Sequence, residues 1–334
     1  MRAARGFISL ASGLAFALIG AAHAAERDPY EAVIEAARRA VPAVVALHAF
    51  SPPGSPAASV LGQFRKGTGM IIDPSGLILT SNHVVMGAQR VFATLTDGRR
   101  LPGEVLRNDA QTDLALLRVR GEGLPALPLG RSAGLRLGQG VIVVGSAQGK
   151  DREVTLGTVN AIGRFVGYWE FMLNRALHTD ALVRLGYSGG PLLNLQGEVV
   201  GVVSFLRPTV LGPAGVVIPI EEAYPLREEV LSPGGASRRA RRSWLGTIAY
   251  PLANRVVIQG LTPGGPAMRA NVHPKDLITH VNAVPINGLE AYYREIWKHP
   301  PGTEIQLTIQ REGQTLLVPI RSADRDRFFA RPTP

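Results

Sequence analysis

The sequence predicts a mostly β protein with two units, a larger β-rich unit followed by a smaller α+β unit. From Val41 to about Ile220, short apolar runs alternate with turns containing Gly, Pro and Asp. A stretch rich in Gly, Ser and Arg then interrupts the strand pattern, and strand-like and helix-like segments alternate from Trp244 to about Arg321. Closely spaced strands with little helix between them are typical of an antiparallel barrel or sandwich, which we expect for the first unit.

The first 24 residues have the layout of a secretory signal peptide. Arg2 and Arg5 precede an apolar run over 7–19, and Ala22-His23-Ala24 places small residues at a cleavage site. The run is shorter than the ~20 apolar residues that a membrane span needs. We therefore expect export and cleavage after Ala24. The alternative is an uncleaved signal that anchors the chain in the membrane.

Each remaining segment has its own pattern. Asp28, Pro29 and Glu31 fit the first turn of a helix over 28–41, which opens a first unit of residues 25–230. Three prolines mark Ser51–Lys66 as a surface loop. Residues 231–243 form a linker, 244–321 the second unit, and 322–334 a disordered polar tail. The other predicted elements are a helix over 221–231, strands over 256–258 and 277–281, helices from Ala267 and over 289–297, and a hairpin of 305–310 with 316–320.

Composition excludes some functions. The 334 residues contain no cysteine, which rules out disulfides, thiolate metal sites and a cysteine nucleophile. The formal net charge is +10, and the densest basic cluster is Arg238-Arg239-Ala240-Arg241-Arg242. No aromatic-studded basic strand or zinc-finger spacing accompanies it, so we predict a solvated linker and no nucleic-acid site. Weak contact of this cluster with an anionic membrane surface is the alternative.

Three separated residues suggest nucleophilic catalysis. Ser188 lies in Gly186-Tyr187-Ser188-Gly189-Gly190, His83 follows a strand-like run, and Asp113 precedes another. A hydroxyl needs a base to take its proton and a third group to orient that base. The same glycine-rich stretch also fits the nucleophile elbow of α/β-hydrolases, but that fold requires a following helix and the order Ser, Asp, His. The order His, Asp, Ser, with β-like sequence after the serine, predicts the chemistry of a serine protease.

The glycines around Ser188 allow backbone amides to turn toward one point. We predict an oxyanion hole in the segment Gly186, Tyr187 and Ser188, with the amides of Gly186 and Ser188 as donors. The chemistry requires no metal and no cofactor, and the sequence contains no nucleotide-binding motif.

These motifs resemble the HtrA/Deg family of trypsin-like serine proteases with one C-terminal PDZ domain. The resemblance covers roughly residues 30–321. It implies a two-barrel, chymotrypsin-like protease domain with the active site between the barrels. His83 then corresponds to the general base, Asp113 to its orienting carboxylate and Ser188 to the nucleophile. The resemblance rests on the stretches Gly67–Ile72, Leu77–Val85, Asp113–Val119, Thr179–Ala181, Gly186–Leu193, Gly197–Val202 and Gly215–Pro219.

The chain departs from the family pattern near the nucleophile. Tyr187 replaces the usual Asn, Arg184-Leu185-Gly186 replaces Asn-Pro-Gly, and the loop over 145–149 lacks an Asn-Pro pair. By the same resemblance, Leu182 is expected at the base of the primary substrate pocket. With no carboxylate there, we predict preference for small or medium apolar side chains. The expected pocket residues are Leu182, Ser204, Phe205 and Val216.

The second unit resembles a PDZ domain. Trp244, Leu245 and Gly246 match the loop whose amides bind the terminal carboxylate of a peptide, and the peptide is expected to add a strand beside Ile248. Asn271 and Lys275 stand where glycines are usual. A small αβ domain without a ligand is the alternative.

The resemblance implies an exported, ATP-independent endopeptidase of the bacterial periplasm, assembled as a homotrimer. Its expected substrates are unfolded or damaged envelope proteins and C-terminal peptides. The departures near Ser188 leave a second function open, a proteolytically silent or latent peptide-binding chaperone or regulator. A third is a basic protein that binds anionic surfaces through Arg238–Arg242.

Overall fold

Two antiparallel barrels, each of six strands, form the first unit in a computed structural model that describes residues 29–146, 151–209, 212–232 and 240–330. The first barrel has the order β1-β2-β3-β6-β5-β4, and the second has β10-β11-β12-β9-β8-β7. Closing each sheet on itself leaves no unpaired strand edge. The strands are β1 Val44–Phe50, β2 Phe64–Asp73, β3 Leu77–Ser81, β4 Arg90–Thr94, β5 Arg100–Asp109, β6 Leu114–Val119, β7 Gly140–Gly145, β8 Glu153–Gly167, β9 Phe171–Thr179, β10 Pro191–Leu193, β11 Val199–Thr209 and β12 Gly212–Pro219.

Side chains that alternate in direction along a strand contribute to two cores, one inside a barrel and one shared between the barrels. On β3, Ile78 points into the first barrel, while Leu77 and Leu79 belong to a cluster that also contains apolar residues of the second barrel. Successive strand residues face opposite sides, so one strand supplies both cores. Ala36 and Ala40 of α1 also lie buried in the shared cluster.

In the described residues, short helices accompany the barrels: α1 Pro29–Ala40, α2 Pro56–Leu61, α3 Asn82–Val85 and α4 Ala223–Leu231. The first and last agree with the predicted helices over 28–41 and 221–231. The loop predicted over Ser51–Lys66 is wrong in part. Ser55 caps α2 by accepting a hydrogen bond from the Ala58 amide, Pro56 occupies the first turn, and Phe64 already begins β2.

The second unit is a sheet of order β13-β14-β15-β17-β18, with β16 paired to β15. Its core is apolar and includes the buried rings of Tyr292 and Tyr293. The predicted strand over 277–281, helix over 289–297 and final hairpin are all present. The elements are β13 Thr247–Leu252, β14 Arg255–Leu261, α5 Pro266–Arg269, β15 Leu277–Val281, β16 Val284–Pro285, α6 Leu289–Trp297, β17 Glu304–Arg311 and β18 Gln314–Arg321. Mostly β architecture, two barrels followed by a small α+β domain, is therefore confirmed.

The predicted disordered tail is wrong where the structure describes it. Asp324 accepts a hydrogen bond from the Arg327 amide and caps helix α7, Arg325–Phe329. Phe328 and Phe329 are buried against Trp244, Met86 and Ala57. Their burial supplies the apolar contact that orders a segment judged polar from its charges.

Some predictions fall outside the described residues. They include the signal peptide over 1–24, the Asp28 cap, residues 147–149 of the loop after β7, and Arg238 and Arg239. Within the ranges described, no helix is long and apolar enough to cross a membrane.

Candidate active site

Strand pairing brings His83 and Asp113 together. α3 begins directly after β3, Asp113 directly precedes β6, and Ser81 pairs with Leu114 in the ladder between these strands. Asp113 has a positive φ of 58°, which non-glycine residues adopt rarely and mostly where the surroundings enforce it. Here the Asn82 amide donates to the Asp113 carbonyl at 2.8 Å, which holds the turn.

Both carboxylate oxygens of Asp113 have partners. Oδ1 accepts from the His83 amide at 3.0 Å, and Oδ2 lies 2.8 Å from His83 Nδ1. The Ser204 hydroxyl also donates to Oδ2, at 2.6 Å. Since an ionised carboxylate only accepts, Nδ1 is assigned the proton and Nε2 keeps a free lone pair. This is the tautomer that a general base requires.

A close backbone approach fixes the turn that carries Ser188. Gly189 has φ of 89°, and a Cβ there would lie 2.1 Å from the Thr68 carbonyl oxygen. Only glycine fits, and its amide donates to the Val203 carbonyl at 2.7 Å. Ser188 Oγ donates to the Ser204 carbonyl at 2.8 Å. In the hydrogen bonds of the described residues, none joins Ser188 Oγ to His83.

The backbone amides around Ser188 differ in whether they already have a hydrogen-bond acceptor. Tyr187 N–H donates to the Arg184 carbonyl at 3.0 Å, within a turn. Within the described part of the chain, the amides of Gly186 and Ser188 have no protein acceptor, so both are available to a ligand. The assignment of these two amides to an oxyanion hole stays a prediction.

Thr68, whose role the sequence reasoning missed, links this turn to the end of β7. Its hydroxyl donates to the Gly186 carbonyl at 2.7 Å and accepts from the Ser146 amide at 2.9 Å. Thr68 is fully buried and its own amide donates to the Ser188 carbonyl at 2.9 Å. The residue lies in the Gly67–Ile72 stretch, but only the fold places it against 186–188.

Tyr187 lies inside the second barrel. Its ring packs on Gly145, where a Cβ would come within 2.3 Å of the ring. Its phenol donates to Glu153 at 2.7 Å, and burial together with this carboxylate raises the pKa of the phenol. Arg184 donates to the same Glu153 oxygen at 3.0 Å. Tyr187 therefore fits its position before Ser188: Gly145 leaves space for its ring, and Glu153 accepts the hydrogen bond of its phenol.

The expected pocket residues do not share one environment. Leu182 is 48% exposed, so it does not form a buried pocket base in this conformation. Val216 is fully buried in the shared core, and the Ser204 hydroxyl is directed to Asp113. Phe205 stacks on His83 with ring centroids 5.1 Å apart. The apolar specificity that these residues suggested stays a prediction.

The predicted carboxylate loop binds a carboxylate, and that carboxylate belongs to the chain itself. The amides of Leu245, Gly246 and Thr247 donate to Glu170, at 3.2 Å, 3.0 Å and 3.1 Å. Glu170 lies in the turn between β8 and β9 and is 4% exposed. Burial raises the pKa of its carboxyl, an effect that the Thr247 and Leu245 amides oppose.

Trp244 and Ile248, which were also predicted to line the loop and the groove, do not contact Glu170 through their amides. The Trp244 side chain packs on Phe328 and Phe329, outside the loop. Beside Ile248, where a peptide strand was expected, the Ala249 amide donates to the Tyr168 carbonyl at 3.1 Å. Sequence reasoning missed Glu170, since no local pattern connects it with a loop 75 residues away.

The described arginines of the basic cluster have partners within the chain. Arg241 donates to Asp324 at 2.5 Å, and the Arg242 guanidinium lies 4.7 Å from the Trp297 ring centroid. Over the residues that the structure describes, no group of three or more His, Cys, Asp or Glu side chains could hold a metal ion.

Comparison with known proteins follows the same division. A trypsin-like peptidase domain model matches residues 67–202, and a PDZ domain model matches residues 239–321. A probable periplasmic serine endoprotease, DegP-like, of Halomonas elongata is 34% identical over 275 residues, covering 77% of this chain and 56% of the relative. The putative serine protease HhoA of Synechocystis is 33% identical over 279 residues, covering 77% and 70%. The chain thus spans little more than half the length of one of these relatives.

Solved structures give the same result. The HtrA-type protease AlgW with decapeptide has 27% sequence identity and a TM-score of 0.52, covering 88% of this chain and 98% of that one. The serine endoprotease from Yersinia pestis has 28% identity and a TM-score of 0.52, covering 90% and 99%.

Two closed barrels, a hydrogen-bonded His–Asp pair beside a glycine-bounded serine, and an attached PDZ sheet define the class of trypsin-like peptidases with a C-terminal PDZ domain. Within that class, the chain belongs to the HtrA/DegP family of serine endoproteases.

Proposed function

We propose that this chain is a serine endopeptidase in which Ser188 is the nucleophile, His83 the general base and Asp113 the residue that orients His83. One observation carries the proposal: Asp113 fixes His83 through two hydrogen bonds, and Ser204 contacts both Asp113 and Ser188. Ser204 therefore connects Ser188 with Asp113, the hydrogen-bond partner of His83.

The reaction begins with a rotation of Ser188 Oγ from the Ser204 carbonyl toward His83 Nε2. His83 takes the hydroxyl proton while Oγ attacks the peptide carbonyl carbon, and the amides of Gly186 and Ser188 donate to the resulting oxyanion. Protonated His83 then gives its proton to the leaving amine as the C–N bond breaks. Water, deprotonated by His83, hydrolyses the acyl-enzyme and restores Ser188.

The proposed substrates are unfolded or damaged envelope proteins, cleaved without ATP after small or medium apolar residues. Curated relatives are named periplasmic, and the predicted signal peptide agrees with export to that compartment. We further propose that the PDZ domain binds C-terminal peptides, which is supported by three loop amides directed at a carboxylate. A homotrimer, implied by the resemblance, completes the proposal.

Degradation of an unfolded model protein by the mature chain tests this function. We expect Ser188→Ala to lower the cleavage rate at least about 10³-fold, since removal of the nucleophile abolishes the covalent route. Ser75→Ala, at an exposed turn, is the matched control and should cleave normally. Mass spectrometry of the products should place small or medium apolar residues before the cleaved bonds. Cleavage that survives in Ser188→Ala would contradict the assignment.

A latent or silent peptide-binding chaperone is the second candidate. It is favoured by the hydrogen bond from Ser188 Oγ to the Ser204 carbonyl, which directs the hydroxyl away from a nucleophilic role. In the same experiment, equal inertness of the unsubstituted chain and Ser188→Ala, with the substrate held soluble by both, would support this candidate over the protease.

A further inference from the structure

The segment Tyr168–Glu170 lies on the PDZ domain in the register of a bound peptide terminus. Glu170 provides the carboxylate for the amides of 245–247, and two residues earlier the Tyr168 carbonyl accepts from Ala249, two residues beyond Thr247. A peptide that extends a PDZ sheet makes these same two kinds of contact, a carboxylate in the loop and a backbone pairing along the strand. The Tyr168 and Tyr250 rings stack with centroids 3.8 Å apart.

Glu170 is held firmly in this position. Its φ of 54° is rare for a non-glycine residue, and such backbone persists where surrounding contacts enforce it. A buried carboxylate is strongly destabilising unless it is hydrogen-bonded. Here the Thr247 hydroxyl, at 3.1 Å, adds to the three amide donors. Arg325 of α7 also donates to the Trp169 carbonyl at 2.9 Å, so the tail helix holds the same turn.

The turn is connected to the catalytic histidine by aromatic packing. Phe171, the residue after Glu170, lies 5.7 Å from the Phe205 ring centroid, and Phe205 stacks on His83 at 5.1 Å. Phe165, on the other strand of the hairpin, lies 6.4 Å from Phe205. A movement of the β8–β9 hairpin therefore changes packing that contacts His83.

We propose that Tyr168–Glu170 is an internal ligand of the PDZ groove, which a C-terminal peptide must displace before it can bind. The inference rests on the peptide binding assigned above to the PDZ domain. The turn and the peptide compete for the same loop amides, so the two cannot be bound together. Displacement frees the β8–β9 hairpin and alters the contact of Phe171 with Phe205.

Peptide affinity in the full chain carrying Ser188→Ala tests this inference without proteolysis. The probe is a fluorescent hydrophobic peptide with a free C-terminal carboxylate, and the same peptide with an amidated C-terminus is its control. We expect added Glu170→Ala to tighten binding about tenfold or more, because the groove is then open in most molecules. Added Glu170→Gln should act in the same direction. Glu304→Gln, an exposed carboxylate on β17, should change nothing.

Hydrogen exchange of the chain that retains Glu170 provides a second measurement. It does not depend on whether the Glu170 variants fold. Saturating peptide should increase exchange at 168–171 and leave 245–247 protected. Equal affinity of the Glu170 variants and the Glu304→Gln control, or unchanged exchange at 168–171 with peptide bound, would overturn the internal ligand. If no variant binds the free-carboxylate peptide, the assigned peptide binding fails and the inference fails with it, while the cleavage test of Ser188 stands separately.

Discussion

At the scale of single residues, Ser204 joins the two halves of the candidate active site. Its hydroxyl donates to Asp113 and its carbonyl accepts from Ser188, and both groups come from one position on β11. The hydroxyl supports the orientation of His83 through Asp113, and the carbonyl holds Ser188 in a resting rotamer. In the proposed mechanism, departure of the Ser188 hydroxyl from this carbonyl is therefore the first local event.

Thr68 should act as a positioning residue for the oxyanion hole. Thr68→Val keeps the side-chain shape but removes the hydroxyl that joins the Gly186 carbonyl to the Ser146 amide. Each buried group left without a partner costs about 1–3 kcal/mol. We expect kcat to fall about tenfold or more with KM little changed, measured on a peptide substrate identified in the cleavage assay.

Thr68→Ser provides the control for this substitution, since it retains the hydroxyl and loses only a methyl group. It should recover most of the lost kcat. If Thr68→Val lowers the free energy of unfolding but leaves kcat unchanged, Thr68 has a purely structural role and the positioning assignment is wrong.

The sequence predicted the residues whose chemistry is local and missed those that depend on the fold. His83, Asp113 and Ser188 follow from residue type, order and strand-like flanks. Thr68 and Glu170 carry no comparable signal, since a threonine between glycines or a glutamate in a turn occurs in many settings. Only closure of the barrels places Thr68 beside Gly186, and only the docking of the PDZ domain places Glu170 in its loop.

At the scale of elements, the sequence of α7 contains two opposing signals. Asp324 in a capping position and two consecutive aromatic residues predict a short helix with an apolar face, whereas the surrounding arginines favoured disorder. The patterns of the helix over 289–297 and of the final hairpin were stronger because these elements are longer and periodic. Short elements such as α2 and α7 depend on what they pack against, which the sequence does not display.

Asp326 on this helix should make stability depend on pH. Burial raises the pKa of its carboxyl from the ordinary 3.8 to about 6, against the opposing effect of Arg325. A raised pKa means that the folded state holds its proton longer. The contribution of Asp326 is therefore complete below about pH 4 and is lost as pH rises through about 6.

We expect Asp326→Asn to raise the free energy of unfolding by about 1–3 kcal/mol at pH 8 and to have little effect at pH 4. Urea unfolding at pH 4, 6 and 8 measures the difference. Glu304→Gln, which removes an exposed negative charge, is the control for net charge. A gain of equal size at all three pH values would show that titration of Asp326 is not its cause.

At the scale of the whole molecule, several contacts join the PDZ domain to the barrels. Besides the pairing of Tyr168 with Ala249 and Tyr250, they include Glu170 in the carboxylate loop, Arg164 of β8 with Glu290 of α6 at 2.6 Å, and the cluster of α7 on the first barrel. The ion pair is partly exposed and contributes little. The buried carboxylate and the apolar cluster therefore dominate, and α7 contributes to both through Arg325 and Phe328.

Phe328→Ala should consequently loosen the PDZ domain from the first barrel. Removing a buried phenylalanine costs about 3–5 kcal/mol, here in a cluster with Trp244 and Met86 that spans both units. We expect lower stability in urea unfolding and faster hydrogen exchange at 86–88 and 168–170. Leu317→Ala, at a residue that is 63% exposed, should leave both unchanged. Slower folding or lost stability without faster exchange at 168–170 would mean that α7 stabilises the fold without holding the internal ligand in its groove.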